Sequence, residues 1–283
     1  METGEKIAIC CCSNGQSSLY TEKLQKLDTV LREIGLVPVW SDYIYEKASV
    51  FGGSAEQRAE SLMHFYKDES IKAIFDISGG DIANEILPYL DFQMIAGSNK
   101  TFYGYSDLTT LINAIYAKTN KQSVLYQIRN LIYDDSENQI RKFKNSFIDE
   151  GNDLFDFNYS FVQKKEMKGV VVGGNIRCLL KLAGTGYWPD MSGKILLLEA
   201  YSGTVAKMVT YLNQLAQIGV FTQISGILLG TFTEMESRKC DPGITDLVKR
   251  YAGKNIPIAC TFEIGHGTDS KAIIIGKELQ LKE

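Results

Sequence analysis

Histidine is nearly missing from this chain: 283 residues contain two, His64 and His266. Imidazole chemistry near neutral pH therefore has only two addresses. A basic excess is missing too. Net charge is −4 with a pI near 5.4, and Lys and Arg are scattered among acids, so no stripe exists to neutralise a phosphate backbone. That excludes nucleic acid as a partner. No run approaches the 18 or so apolar residues of a membrane span. The apolar stretch Ile7–Cys12 is also too short for the core of a secretory signal, which leads us to expect a cytoplasmic protein. The six cysteines offer neither a disulfide framework nor a metal-ligand spacing. Cys10, Cys11 and Cys12 are consecutive, and on an extended strand they alternate faces, so they read as small buried groups and not as a metal site. Neither G-x-G-x-x-G nor a P-loop lysine is present, and no cofactor is expected.

What is present is an ordinary globular composition, 45% hydrophobic and 23% charged. KIAICCC, LVPVW, KAIFDI and TFYGY read as short strands separated by helices of amphipathic spacing, which predicts βαβ units and a parallel sheet covered on both faces. Segment 134–166 loosens into polar and charged residues with one helix around Ile140 to Ile148. Beyond it GVVVGGN, KILLLEA, SGILLG, IPIAC and KAIIIGKELQL supply strands. We expect an α/β chain of two domains: residues 1–155, a linker at 156–168, and a mixed α/β domain at 169–283.

Chemistry in such sheets gathers beyond the carboxyl ends of the strands. Four features lie there. Ser106, in GYSDL between a strand and a helix, matches a nucleophile elbow in plan, although Leu108 stands where the second glycine of G-x-S-x-G would be. An N-cap serine is the competing reading. SGGD, Ser78 to Asp81, offers bare glycine amides suited to an anion. Glu199 closes the apolar strand KILLLEA, where an acid is costly unless a partner holds it. His266 is flanked by Gly265 and Gly267 on an uncluttered loop, whereas His64 sits in a helix as a solvated residue. Together they make the generic acyl-transfer kit.

Four blocks resemble the LD-carboxypeptidase family of serine peptidases: SAEQRAESLMHFYKDESIKAIFDISGGDIANEILPYLDF, YGYSDLTTLINAIY, GVVVGGNIRCLLKLAGTGYWPDMSGKILLLEA and IPIACTFEIGHGTDSKAIIIG. The resemblance implies a Ser106 nucleophile, a His266 base and a Glu199 orienting acid, with the amides of Gly80 and Asp107 as oxyanion hole. It implies a flavodoxin-like or class I amidotransferase-like N-terminal domain, a triad assembled between the two domains, and a homodimer. Gly79 and Arg177 become candidates for substrate contact, Arg177 as the cation for a carboxylate. Ala200 and Ser78 depart from the family pattern without touching the triad. The implied substrate is a small peptide, a murein tetrapeptide losing its terminal D-alanine; the alternatives are an aminoacyl-nucleotide conjugate, as for microcin C self-immunity peptidases, or peptide capture without catalysis.

Overall fold

The computed structural model describes residues 1–283. In the first half β1 (Lys6–Cys10), α1 (Thr21–Ile34), β2 (Val37–Trp40), α2 (Ala55–Lys67), β3 (Ile71–Asp76), α3 (Phe92–Gly97), β4 (Thr101–Gly104), α4 (Thr109–Thr119) and β5 (Ser123–Leu125) alternate as the spacing predicts. Local chemistry sets their ends. Leu24, Leu27, Val30, Leu31 and Ile34 bury one stripe of α1, and Gly35 closes it at φ 100°. Ser54 and Gln57 form a reciprocal capping box at the start of α2. Helix α5 (Ser136–Phe147) follows as the last helix of this half.

The second half holds β6 (Ser160–Gln163), β7 (Glu166–Asn175), α6 (Ile176–Leu180), β8 (Lys194–Ala200), α7 (Val205–Gln217), β9 (Gly226–Phe232), α8 (Thr233–Ser237), α9 (Ile244–Ala252), β10 (Ile258–Cys260), β11 (Ile273–Ile275) and β12 (Glu278–Lys282). Two six-stranded sheets result, in the orders β11-β5-β4-β3-β1-β2 and β12-β7-β8-β9-β10-β6. All neighbours are parallel except β11 on β5, β12 on β7 and β6 on β10.

Two expectations about boundaries are corrected. The segment 156–168 is not a free linker, because β6 pairs with β10 and β7 already begins at Glu166. KAIIIGKELQL is not one strand of the second domain. It is two strands in two sheets, broken at Gly276, whose φ of 87° turns the chain. The last residues therefore stitch the second half back onto the first sheet through Ile273 opposite Leu125.

Helix α4 is the layer between the sheets. Leu111, Ile112 and Ile115 of α4 share one buried cluster with Ile74 and Phe102 of the first sheet and with Val171, Leu197 and Leu228 of the second. The opposite face of the first sheet packs on α1 and α5, and the opposite face of the second on α7 and α9. No helix is long and apolar enough to cross a membrane.

Candidate active site

Ser106 stands at the turn between β4 and α4 with φ 53°, a left-handed conformation that costs a non-glycine residue about 1–3 kcal/mol. Its hydroxyl caps neither the short 3-10 turn Ser106–Leu108 nor α4. It meets His266 Nε2 at 3.1 Å instead. Leu108, which occupies the place of a second elbow glycine, is accommodated by Gly104: a Cβ there would stand 2.6 Å from Leu108 Cβ. The tight approach is relieved at the first glycine of the motif and not at the second.

Glu199 is fully buried near the end of β8, between β7 and β9. Its Oε2 lies 2.5 Å from His266 Nδ1. Gly230 on the neighbouring strand makes room, since a Cβ there would stand 3.2 Å from Glu199 Cβ, and the β8–β9 register shifts at this point. Such irregularities re-aim a side chain at a strand end. His266 is held by its own backbone. Its amide donates to Thr231 Oγ1 at 3.2 Å, and the preceding Gly265 carbonyl accepts from Tyr105 Oη at 2.5 Å and Ser270 Oγ at 2.7 Å. Gly265 adopts φ 145° and a Cβ would fall 1.9 Å from Thr231 Oγ1, so only glycine fits. The imidazole also lies beside the rings of Tyr105 and Tyr201, at centroid distances of 4.6 and 5.1 Å.

The turn Ser78–Asp81 is a second built feature. Gly80 sits at φ 114° against Asn14, whose Cγ would be 2.2 Å from a Cβ. The amides of Gly80 and Asp107 donate to no protein acceptor. Asp107 is fixed by its side chain: its carboxylate accepts from Ser13 Oγ at 2.6 Å and Ala83 N at 2.9 Å and pairs with Lys181. Arg177 does not stand free for a substrate carboxylate. It pairs with Asp81 and donates to the Gly80 carbonyl at 3.0 Å, which makes it a clamp on the turn. Gly79 lies beside it, half-buried, with open space where a side chain would be.

Residues 7–126 match the LD-carboxypeptidase N-terminal domain and residues 168–281 the LD-carboxypeptidase C-terminal domain. The chain belongs to the LD-carboxypeptidase family. It is therefore a peptidase by family. It is similar to the probable murein peptide carboxypeptidase of Bacillus subtilis, 27% identical over 89% of this chain and 82% of that one. It is similar also to the microcin C7 self-immunity protein MccF of Escherichia coli, at 25% identity over 81% and 76%. A structure of MccF in complex with glutamyl sulfamoyl guanosine shares the fold, with a TM-score of 0.87 and 20% identity over 100% of this chain and 97% of that one.

Several residues of this LD-carboxypeptidase-family site escaped the sequence reading. Asp76 is the clearest, because an acid closing the apolar strand KAIFDI is the same signal that singled out Glu199. Buried at 1% exposure, it accepts from Cys12 N at 2.6 Å and from Ser78 N and Oγ at 2.7 and 2.5 Å. Burial pushes its carboxyl above the usual range, and the bonds from Ser78 and Cys12 oppose that shift. Cys10 and Cys12 do share a face, with sulfurs 3.9 Å apart beside Asp76, while Cys11 packs in the opposite cluster. Burial raises the thiols of Cys10 and Cys11 well above their ordinary values. Thr109 and Asn113 are the other omission. Asn113 exchanges two hydrogen bonds with Gly173, at 2.8 and 2.9 Å, and Thr109 Oγ1 accepts from Asn175 N at 3.0 Å. Asn175 pairs with Glu199 in the sheet. The helix that starts after Ser106 is thus bonded to the strand beside Glu199, and this fixes the spacing of the two.

Proposed function

We propose that the chain is a serine peptidase that hydrolyses an amide bond through an acyl-enzyme. The observation that carries the proposal is the continuous line from Ser106 Oγ through His266 Nε2 and Nδ1 to Glu199 Oε2, with steps of 3.1 and 2.5 Å, ending on a serine at φ 53°. Neutral His266 takes the Ser106 proton as the oxygen attacks the carbonyl carbon, and Glu199 holds the tautomer and stabilises the imidazolium. The Gly80 and Asp107 amides receive the tetrahedral oxyanion; by analogy with other hydrolases one such donor contributes about 3 kcal/mol to the transition state. The imidazolium returns the proton to the departing amine. Water, activated by the same imidazole, then attacks the ester and frees Ser106.

The substrate proposed is a murein tetrapeptide that loses its terminal D-alanine, in line with the Bacillus subtilis relative. Tyr201 supports a second reading. It is 59% exposed and lies beside His266, a surface on which a base could stack, as a conjugate like the one held by MccF would require. The cytoplasmic setting and homodimer expected above travel with either reading. Amine release from a murein tetrapeptide and from glutamyl sulfamoyl guanosine, followed for the parent and for Ser106→Ala, tests the proposal. Turnover of one substrate by the parent, lost in the variant, is expected; a variant as active as the parent removes Ser106 from the mechanism.

A further inference from the structure

The cations near the site differ in what they already hold. Arg177 and Lys181 are taken by Asp81 and Asp107. Arg129 pairs with no carboxylate: its Nη1 donates to Gln16 Oε1 at 2.9 Å, its Cζ lies 5.9 Å from the centre of the Tyr133 ring, and its Nε is buried without an acceptor in the protein. Two residues earlier, Gln127 is 3% exposed, and its Nε2 is also buried without an acceptor. Its Oε1 is used, accepting from Arg129 N at 3.1 Å.

The topology says where these donors are. Gln127 and Arg129 follow β5, and Gln16 lies on the loop after β1. Strands β4 and β3 stand between those two in the sheet, and from their ends rise Ser106 and the Gly79–Gly80 turn. Tyr126 N donates to the Gly104 carbonyl at 3.0 Å, so the segment carrying Gln127 and Arg129 leaves β5 beside the end of β4, from which Ser106 rises. Burial and the Glu199 charge push the phenol of Tyr105, the residue before Ser106, well above its ordinary value, and the Arg129 guanidinium opposes that shift. A guanidinium with no anion, two residues along the chain from a second buried donor with nothing to bond, suits a carboxylate.

We infer that Arg129, assisted by the Gln127 amide, is the receptor for a carboxylate of the substrate and sets the specificity of this peptidase. The inference rests on the peptidase reading and goes beyond it in naming the recognised group and replacing Arg177 in that role. The carboxylate arrives either as the free C-terminus of the departing residue or as an acidic side chain of the acyl half. Both present the same two oxygens.

Two matched pairs separate these sources: a murein tetrapeptide against its C-terminal amide, and glutamyl sulfamoyl guanosine against its glutaminyl counterpart. The expected result is that the parent prefers the acid of one pair by on the order of 10- to 100-fold, the value of a charged hydrogen bond, with the difference in KM and not in kcat. Arg129→Gln should erase that preference while leaving the neutral partner's kcat/KM within about threefold. Gln127→Glu, which places an anion inside the receptor, should weaken the acid in the same way. Calorimetric titration of both pairs into Ser106→Ala and Ser106→Ala/Arg129→Gln repeats the comparison without turnover, so a failed peptidase assay does not hide the receptor. Circular dichroism checks that each variant is folded. Equal affinity for acid and neutral partner in both pairs, binding of neither pair, or a preference that survives Arg129→Gln overturns the inference.

Discussion

Two glycine-bearing turns frame the site, and they are held in different ways. The Gly80 turn is fastened largely by charge: Asp76 grips Ser78 from below, and Arg177 grips Gly80 and Asp81 from above. The His266 turn is fastened at its centre by neutral groups, with one ion pair, Glu263 with Lys271, at its base. Tyr105, Ser270 and Thr231 bond its backbone, and Gln139 donates through Nε2 to the Ser270 carbonyl at 3.1 Å while its Oε1 accepts from Tyr126 Oη at 3.2 Å. The difference follows from what each turn presents. In the proposed mechanism Gly80 offers fixed dipoles to a developing oxyanion, and constant charges nearby need no rearrangement during the reaction. His266 gains and loses a proton in each proposed cycle, and neutral anchors keep their geometry whichever charge state it has.

The comparison breaks most completely where the imidazole meets its one ionic partner. Glu199→Gln should lower kcat by on the order of 10³- to 10⁴-fold through loss of the tautomer lock, with the fold retained by circular dichroism. Next comes the charged anchor of the other turn. Asp76→Asn replaces an acceptor of backbone and hydroxyl donors with a group that also donates, and should cost about 10- to 100-fold in kcat with KM little changed. If Asp76 served packing alone, thermal stability would fall without that split. The neutral side is sharpened by Tyr105→Phe, which removes one bond to Gly265 and should lower kcat by about 5- to 10-fold at all ionic strengths.

The smallest effect lies at the base of the His266 turn. Glu263 accepts from Asn158 N at 2.6 Å and pairs with Lys271 at 3.3 Å. Burial tends to raise its carboxyl, yet the bonds from Asn158 and the Lys271 charge bring it below the usual carboxylate range. A group depressed on folding stabilises above its unfolded pKa and loses that contribution as pH falls through the folded value. Because the site is partly exposed, Glu263→Gln should destabilise by about 0.5 kcal/mol at pH 7. Urea titrations should show the gap closing as the pH drops through and below the ordinary carboxylate range.

The alternation of strands and helices was legible because each short apolar run in the first half is bounded by turn residues and followed by an amphipathic helix. The three triad candidates were legible because each carries a local mark: a strand-to-helix serine, paired glycines around a histidine, an acid closing an apolar strand. What stayed hidden depends on pairing between distant residues. KAIIIGKELQL looks like one strand until Leu125 and Gly169 claim its two halves in different sheets. Arg177 looks available until Asp81, nearly a hundred positions earlier, takes its charge. Arg129 drew no notice because a lone arginine after a strand has no local mark, and only the folded chain shows that nothing opposes it.

In the proposed mechanism the Ser106 hydroxyl forms a covalent bond with the acyl half of the substrate. Rapid mixing with substrate, acid quenching and mass analysis of the digested protein tests this directly. The expected result is an added acyl mass on the peptide containing Ser106, absent in Ser106→Ala together with amine release. Amine release at the parent rate from Ser106→Ala would contradict it.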